Sequence, residues 1–585
     1  MVIVGIDVGG TNTDAALISE GRILATAKVP TCHDQLLEST TLAFEKLLNA
    51  YDRPDLSDPI ELHLSTTLST NAIIEGQGDP TAVLAAPGPG MNVAELNPGF
   101  PIYVLSGSMD HRGREVAPIN QEEVLDAVSQ AEAGGATALA VVGKFSHRNP
   151  GHELEIEKLI LKRASKTGRI TLGHRLSGRP NFPRRMATSY LNASIARHQA
   201  VFVDMIRKFM VRDRSVGRVF LLKADGGTMQ LEDSLIRPVE TILSGPAASI
   251  MGAEALSAYP DSNTVILDIG GTTTDISVQI KGDTVFQRQG AEIAGYKTLV
   301  PALFSRSIGL GGDSEIKVVR RLESNKETDA SLSGNNTLDL DIELEIGPRR
   351  AGTPAAFGGD CITPTDAAVA LGLAKVGSAS QATRALADFA EIYGIGAKEL
   401  ATKIIDTFIK QLVVAIEETY EYLESRPVYT VSEILTPPDI RPQALIGLGA
   451  PAGVFIPPIA ESLGLKYQVL PCYESANAIG AAASRPTAQI TLHADTALGV
   501  MTVPEADYVG KIERPVLFGI NQARREAMAW ATKFGKKLGL DEADNIQIVE
   551  EESFNMVRGF HTVGRTFMIR AQVRPGVRRI CSSPD

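Results

Sequence analysis

One nine-residue pattern occurs twice in the chain. Ile6-Asp-Val-Gly-Gly-Thr-Asn-Thr-Asp14 returns as Leu267-Asp-Ile-Gly-Gly-Thr-Thr-Thr-Asp275 at an offset of 261, with six of nine positions identical and two more exchanged between apolar residues. Solenoid repeats run to roughly 20–50 residues, so this spacing excludes them and calls for duplication of a whole domain. Each copy follows an apolar, β-rich run, Val2 to Ile6 or Thr264 to Leu267. Each precedes a short alternating stretch, a turn pair (Glu20-Gly21 or Lys281-Gly282-Asp283) and a further strand-like run (Arg22 to Val29 or Thr284 to Gln289). Both copies are expected to fold as strand, Gly-Gly turn, strand, turn, strand.

A turn of the form Asp-x-Gly-Gly-Thr-x-Thr suits a polyphosphate. Glycines let the backbone come close and reach positive φ, so that successive N–H groups point at phosphate oxygens. The threonine hydroxyls add donors. The aspartate ahead of the turn would repel phosphate unless a divalent cation, Mg²⁺ with its water shell, stands between them. Gly9, Gly10, Thr11, Asn12 and Thr13 are therefore expected at one phosphate region of a bound triphosphate and Gly270, Gly271, Thr272 and Thr273 at the other. Asp7 and Asp268 are the catalytic and Mg²⁺-shell candidates, while Asp14 and Asp275 are read as braces of their hairpins. No G-x-x-x-x-G-K-[ST] loop is present, which excludes a P-loop enzyme.

Further segments add weaker signals. Ala444-Leu-Ile-Gly447-Leu-Gly449-Ala450-Pro451-Ala-Gly453 reads as a strand entering a glycine turn. A dinucleotide fingerprint is disfavoured by Pro451 inside the turn. Adenosine lying against bare backbone at Gly447, Gly449 and Ala450 is the preferred reading. Gly311 and Gly312 suit either a nucleotide contact or a structural turn. Asp225, ahead of Gly226-Gly227, suits a general base, a substrate anchor or a turn acid. Thr66, Thr67 and Asn71 form a polar cluster expected to line the site. His147 and His152 straddle a Pro-Gly turn and are read as surface residues. Cys361 lacks an identifiable base and is read as packing.

A chain of 585 residues is too long for one core. The expected organisation is an actin-like ATPase domain over 1–180, a second with the adenosine loop over 181–485, and a small α+β unit over 486–585. Helices are expected over Gly151 to Ala164, Pro183 to Met210, Phe389 to Leu423 with a break near Gly394, Cys472 to Ser484 and Gln522 to Leu538. Asn120 is expected to cap a helix with Glu123 as its capping-box acid. Leu322 to Glu345 reads as an exposed hairpin or loop insertion. The net charge of −12 argues against nucleic acid or an anionic membrane as partner. Four scattered cysteines and the lack of a targeting or spanning segment fit a cytoplasmic protein.

Taken together, these residues resemble the acetate-kinase/actin/hexokinase-type ATPase superfamily and, more closely, the hydantoinase A / 5-oxoprolinase family. The likeness covers roughly residues 1–485 and includes Thr66-Thr67-Leu-Ser-Thr-Asn71, Phe145-Ser-His-Arg-Asn-Pro-Gly-His-Glu153, Ala224-Asp-Gly-Gly-Thr228, Ser244-Gly-Pro-Ala-Ala248, Ser307-Ile-Gly-Leu-Gly-Gly-Asp-Ser314 and Thr363-Pro-Thr-Asp366 beside the two Gly-Gly turns. The resemblance implies duplicated α/β ATPase domains of the ribonuclease H type flanking a nucleotide cleft. It also implies ATP- and Mg²⁺-dependent hydrolysis of a small cyclic amide such as a hydantoin, 5-oxoproline or a lactam, through phosphorylation of its carbonyl oxygen. A kinase or carboxylase-type activator of another carbonyl compound, or an ATP-switched reactivating protein, uses the same clamp and stays open. Relatives of this kind imply a second, hydrolase-type subunit or a homo-oligomer; in the unit after Arg485, Arg565, Arg570, Arg574, Arg578 and Arg579 suit either a docking surface or a solvated basic tail. The chain departs from the family at Leu64-Ser65, Phe182-Pro-Arg-Arg185 and Thr353 to Gly359, all on the expected substrate side.

Overall fold

A computed structural model describes residues 2–10, 12–32, 36–51, 59–96, 98–163, 168–287, 289–323, 340–425, 439–538, 540 and 546–580. The chain forms two compact units. The first comprises 1–251, 286–303 and 477–585, and the second 252–285 and 304–476.

In the first unit, β1 (Val2–Val8), β2 (Asn12–Ser19) and β3 (Arg22–Pro30) form an antiparallel meander. The turn between β2 and β3 is a two-residue primed turn, with Glu20 and Gly21 at φ 49° and 74°. β4 (Ile60–Thr66) lies parallel to β1 on its other side, and Val216–Leu222 continues the sheet parallel to β4. β1 and β4 are almost wholly buried along their length, as strands covered on both faces must be. The small-residue helix Ala476–Ala483 approaches β1 so closely that a Cβ on Gly5 would meet the Ala478 carbonyl at 2.0 Å. A second, four-stranded parallel sheet follows, in the order Ile170–Leu172, Ala138–Gly143, Thr81–Ala86, Ile102–Val104. The long helix Phe182–Arg212 is capped by Asn181, whose side chain accepts from Arg184 N.

The second unit repeats the meander. β5 (Thr264–Ile269) and β6 (Thr274–Ile280) are antiparallel, and β7 (Ala444–Leu448) and Lys466–Val469 extend the sheet in parallel beside β5. Lys281 and Gly282 form the matching primed turn at φ 52° and 79°. Both sheets therefore carry three meander strands followed by two parallel ones, the duplicated ribonuclease H-like pattern of actin-type ATPases. The copies differ in their third strand. The expected run Thr284 to Gln289 is a strand only at Asp283–Thr284, because the chain leaves at Phe286 to join the first unit. It returns at Phe304, whose N–H donates to Val285 O at 2.7 Å, and Ser305–Ile308 then pairs with β6. Phe408, Phe455 and Tyr420 centre the core of this unit. Helices Ala379–Tyr393 and Ala397–Glu424 break at Gly394, which takes φ 69°. The expected insertion at Leu322 to Glu345 begins and ends on a hairpin, Ser314–Glu323 with Leu340–Arg350, and residues 324–339 lie outside the described residues.

The last hundred residues belong to the first unit. Gln489–Asp495, Val500–Val503, Tyr508–Lys511, β8 (Ile546–Arg558) and β9 (His561–Val573) make a five-stranded antiparallel sheet with β8 at one edge. Ala527 and Phe534 of helix Ile520–Lys537 pack on Leu492 and Phe567. Asn120 caps its helix as expected, but Glu123 binds Ser106 Oγ at 2.6 Å instead of closing a capping box.

Candidate active site

Each Gly-Gly turn is closed by the same bond. Gly9 N donates to Asn12 O at 3.1 Å and Gly270 N to Thr273 O at 2.9 Å. Each turn also sets an aspartate opposite another, Asp7 facing Asp14 and Asp268 facing Asp275 in strand register. None of the four glycines takes the left-handed φ expected of them. Their surroundings differ. A Cβ on Gly10 would touch nothing within 4 Å, while one on Gly271 would meet Asp313 Oδ2 at 2.6 Å.

In the first unit, Thr67 N and Oγ1 donate to Val8 O at 3.4 and 3.3 Å, which ties the Thr66–Thr67 segment to the turn. Ser244 Oγ donates to Thr66 O at 2.9 Å, and Asn71 Nδ2 reaches Thr67 Oγ1 at 3.5 Å. Thr13 is buried and bonded to Thr31 at 2.9 Å, so its hydroxyl serves the hairpin. Lys28 pairs with Asp14 at 3.3 Å. Thr11 lies outside the described residues.

In the second unit, three further segments gather at the turn. Gly312 N donates to Gly270 O at 2.9 Å and Asp313 N to Gly271 O at 2.6 Å. Gly311 abuts the same backbone, because a Cβ there would lie 2.6 Å from Gly271 C. Thr365 donates from both N and Oγ1 to Gly312 O at 2.8 Å. Gly449, at φ 87°, lies where a Cβ would come within 2.8 Å of Asp268 Oδ1. Gly270–Thr273, Gly311–Asp313 and Gly449–Pro451 thus converge, with Thr272, Thr273 and Ala450 exposed. Gly447 is buried and admits the close approach of Ile456 from helix Ala452–Leu463. Burial and the neighbouring Asp268 charge push the Asp275 carboxyl up to about 6. Burial also raises Asp313, against the pull of Arg350 at 3.0 Å.

Asp225 lines a small cavity of the first unit together with Lys223, Arg237, Glu240 and Glu505. Its carboxylate accepts from Lys223 Nζ at 3.0 Å, Gly227 N at 2.9 Å and Thr487 Oγ1 at 3.1 Å. Burial alone would lower the Lys223 ammonium; Asp225 and Glu240 outweigh it and hold the group above its ordinary value.

The histidines depart most from expectation. His147 and His152 are buried, because His147 packs on Arg185 and His493 and His152 bonds Glu115 at 2.9 Å. His174, which carried no sequence signal, lies between Glu153 at 2.6 Å and Asp507 at 2.7 Å. The two carboxylates overcome burial and raise His174 to about 9. Cys361 donates its thiol to Ala351 O at 3.1 Å. Among the described residues no cluster of three His, Cys, Asp or Glu side chains forms a ready metal cage, and no helix is long and apolar enough to cross a membrane.

Comparison with known proteins places this geometry. The hydantoinase/oxoprolinase pattern matches residues 185–490 and the N-terminal region of the same family matches 3–164. The caprolactamase alpha subunit of Pseudomonas jessenii is 25% identical over 513 residues, covering 80% of this chain and 68% of its own length. The acetophenone carboxylase gamma subunit of Aromatoleum aromaticum is 25% identical over 417 residues, covering 63% of this chain and 53% of its own. The chain thus spans between about half and about two thirds of the length of these curated relatives. Nucleotide-free acetone carboxylase shares the fold, with a TM-score of 0.69 at 16% identity over 99% of this chain and 88% of that one. The chain belongs to the hydantoinase/oxoprolinase family.

Proposed function

We propose that this chain is the ATP-dependent activating component of an enzyme that opens a small cyclic amide of the lactam, hydantoin or oxoproline type. The observation that carries the reading is the twin Gly-Gly turn, closed by the same bond and backed by the same aspartate pair in both units. Gly9, Gly10 and Asn12 on one turn and Gly270, Gly271, Thr272 and Thr273 on the other offer backbone and hydroxyl donors to phosphate. Gly311, Gly312, Gly449 and Ala450 border the second turn, where the adenosine end would lie.

The donor set fits Mg²⁺. Hard carboxylate oxygens are its preferred protein ligands, and the charge of Asp268, which adds to burial in pushing the Asp275 carboxyl up to about 6, is what a cation relieves. Asp268 would hold the ion through its waters at the second turn, and Asp7 is the matching carboxylate of the first. When bound, it would neutralise charge developing on the transferred phosphoryl group. At the second turn the exposed Thr272 and Thr273 would orient that group, and at the first Gly10 leaves the backbone open to phosphate.

An amide carbonyl is a poor electrophile. Phosphorylation of its oxygen by ATP gives an imidate-like phosphate. Water then adds at carbon and the ring C–N bond breaks with a proton passing to nitrogen. Hydrolysis of the resulting acyl phosphate releases phosphate and the amino acid. No nucleophile with a placed base accompanies the turns among the described residues, so a second subunit is expected to complete the hydrolysis. The relatives named as alpha and gamma subunits support that division of labour. The carboxylase relative supports ketone activation as the second reading. Turnover of a lactam labelled with ¹⁸O at the carbonyl tests the chemistry. Label in the released phosphate supports phosphorylation at oxygen, and label retained wholly in the amino acid contradicts it.

A further inference from the structure

β8 is the outermost strand of its sheet, and among the described residues it pairs with β9 alone. Two register shifts interrupt that pair. One places an extra residue, Val549, on β8, and the other places Val563 on β9. The outer edge of β8 from Glu550 to Arg558 is therefore regular, and it contains neither proline nor lysine. Proteins ordinarily blunt such an edge with a bulge, a proline, a lysine or a covering segment.

From Asn555 outward the hairpin also runs beyond the sheet, since Gln489–Asp495 pairs with β9 only as far as Thr566, opposite Phe554. Phe554 at its base and Val557 and Val563 beyond it are exposed by 61, 62 and 49%, and Phe560 at the tip completely. A lone two-stranded ribbon with this much apolar surface is marginal in water. Its charges are ordered along the strand. Glu550 is engaged by Arg570 at 3.2 Å and Glu551 by Arg524 at 2.6 Å, whereas Glu552, whose charge also acts on Arg148, and Arg558 are exposed on either side of Asn555.

That order is self-complementary. Reversing the strand about Asn555 sets Glu552 against Arg558 and Phe554 against Met556, all on one face because side chains alternate. Ser553 meets Val557 on the other face. We propose that the β8 edge pairs antiparallel with the same edge of a second copy of this chain, about a two-fold axis at Asn555. The contact is isologous, so each ion pair and each Phe554–Met556 contact occurs twice. It joins the two C-terminal sheets into one, and it involves no residue placed at the nucleotide turns.

Sedimentation velocity of the full chain over roughly 0.1–100 µM tests the proposal, a range chosen to bracket micromolar affinity. The wild type is expected to be a dimer at the upper end. Arg558→Glu sets two like-charge pairs across the axis and is expected to weaken the dimer about tenfold or more, as is Glu552→Arg. The double reversal restores the opposite-charge pairs and is expected to return the dimer to within a few-fold of wild type. Both residues are exposed, so circular dichroism and ATP turnover of the singles should be unchanged. A chain that stays monomeric throughout, or a dimer indifferent to both single reversals, overturns the proposal. Either result with ATP turnover intact leaves the catalytic reading standing.

Discussion

Asp268 stands in register opposite Asp275 across β5 and β6, and burial together with the Asp268 charge pushes the Asp275 carboxyl up to about 6. The corresponding pair, Asp7 and Asp14, differs in that Lys28 lies 3.3 Å from Asp14.

The two members of that pair should respond differently to neutralisation. Asp268→Asn preserves volume and is expected to keep the fold while lowering Mg²⁺-dependent ATP turnover by ~10² or more. Asp275→Asn removes one of two like charges and is expected to leave stability unchanged or raise it by up to ~1 kcal/mol. Steady-state phosphate release and thermal unfolding of the two variants provide the check; wild-type turnover in Asp268→Asn removes that residue from its role.

Two alanine substitutions separate space kept for a ligand from space kept for the fold. Gly10→Ala adds a methyl where no atom lies within 4 Å, so the melting temperature should hold while ATP affinity falls about tenfold. Gly311→Ala drives a methyl to 2.6 Å from the Gly271 backbone and should cost ~1–3 kcal/mol of stability as well. Calorimetric titration with ATP and thermal melts distinguish them. Unchanged affinity in Gly10→Ala means that phosphate does not approach there.

Lys223→Met leaves Asp225 buried without its cation. Breaking a buried pair from one side typically costs ~3–5 kcal/mol, and urea unfolding should show a loss of that order. Asp225, held by three donors, is expected to act through the fold. Asp225→Asn should then reduce the folded fraction more than the turnover per folded molecule. The opposite pattern would restore it as a base.

Stability should fall on the alkaline side through His174. Its folded value near 9 lies above the ordinary imidazole value of 6.5, so the charged, doubly paired ring stabilises the fold fully below the lower value. That stabilisation is lost as pH rises through about 9. His174→Gln should flatten the fall in melting temperature between these values, and a wild-type profile in the variant would exclude His174 as its source. His493 runs the other way. Burial lowers it to about 3, so the unfolded chain takes up a proton first and stability drops as pH falls below the ordinary value.

The meander, its primed turns and the long helices were legible because each is written in local spacing: apolar alternation, Gly after Glu20 and Lys281, Pro183 at the head of a helical run. The phosphate turns were legible because they occur twice. What escaped depends on partners far along the chain. His174 meets Asp507 only after 333 residues, and Arg112 grips Asp495 after 383. The excursion of 286–303 into the first unit has no local mark at all. Arg570 and Arg578, expected as docking residues, turn inward instead, Arg570 to Glu550 at 3.2 Å and Arg578 to Glu61 at 3.9 Å.

The central claim is that the twin turns drive ATP chemistry on a small carbonyl compound. Its most direct test is ATP hydrolysis by the purified chain with Mg²⁺ across a panel of lactams, hydantoins and ketones. The account predicts that a cyclic amide raises the rate well above that with ATP alone, and that Asp268→Asn abolishes the rise. A rate that no small molecule in the panel changes, but that an added protein partner stimulates, would contradict it.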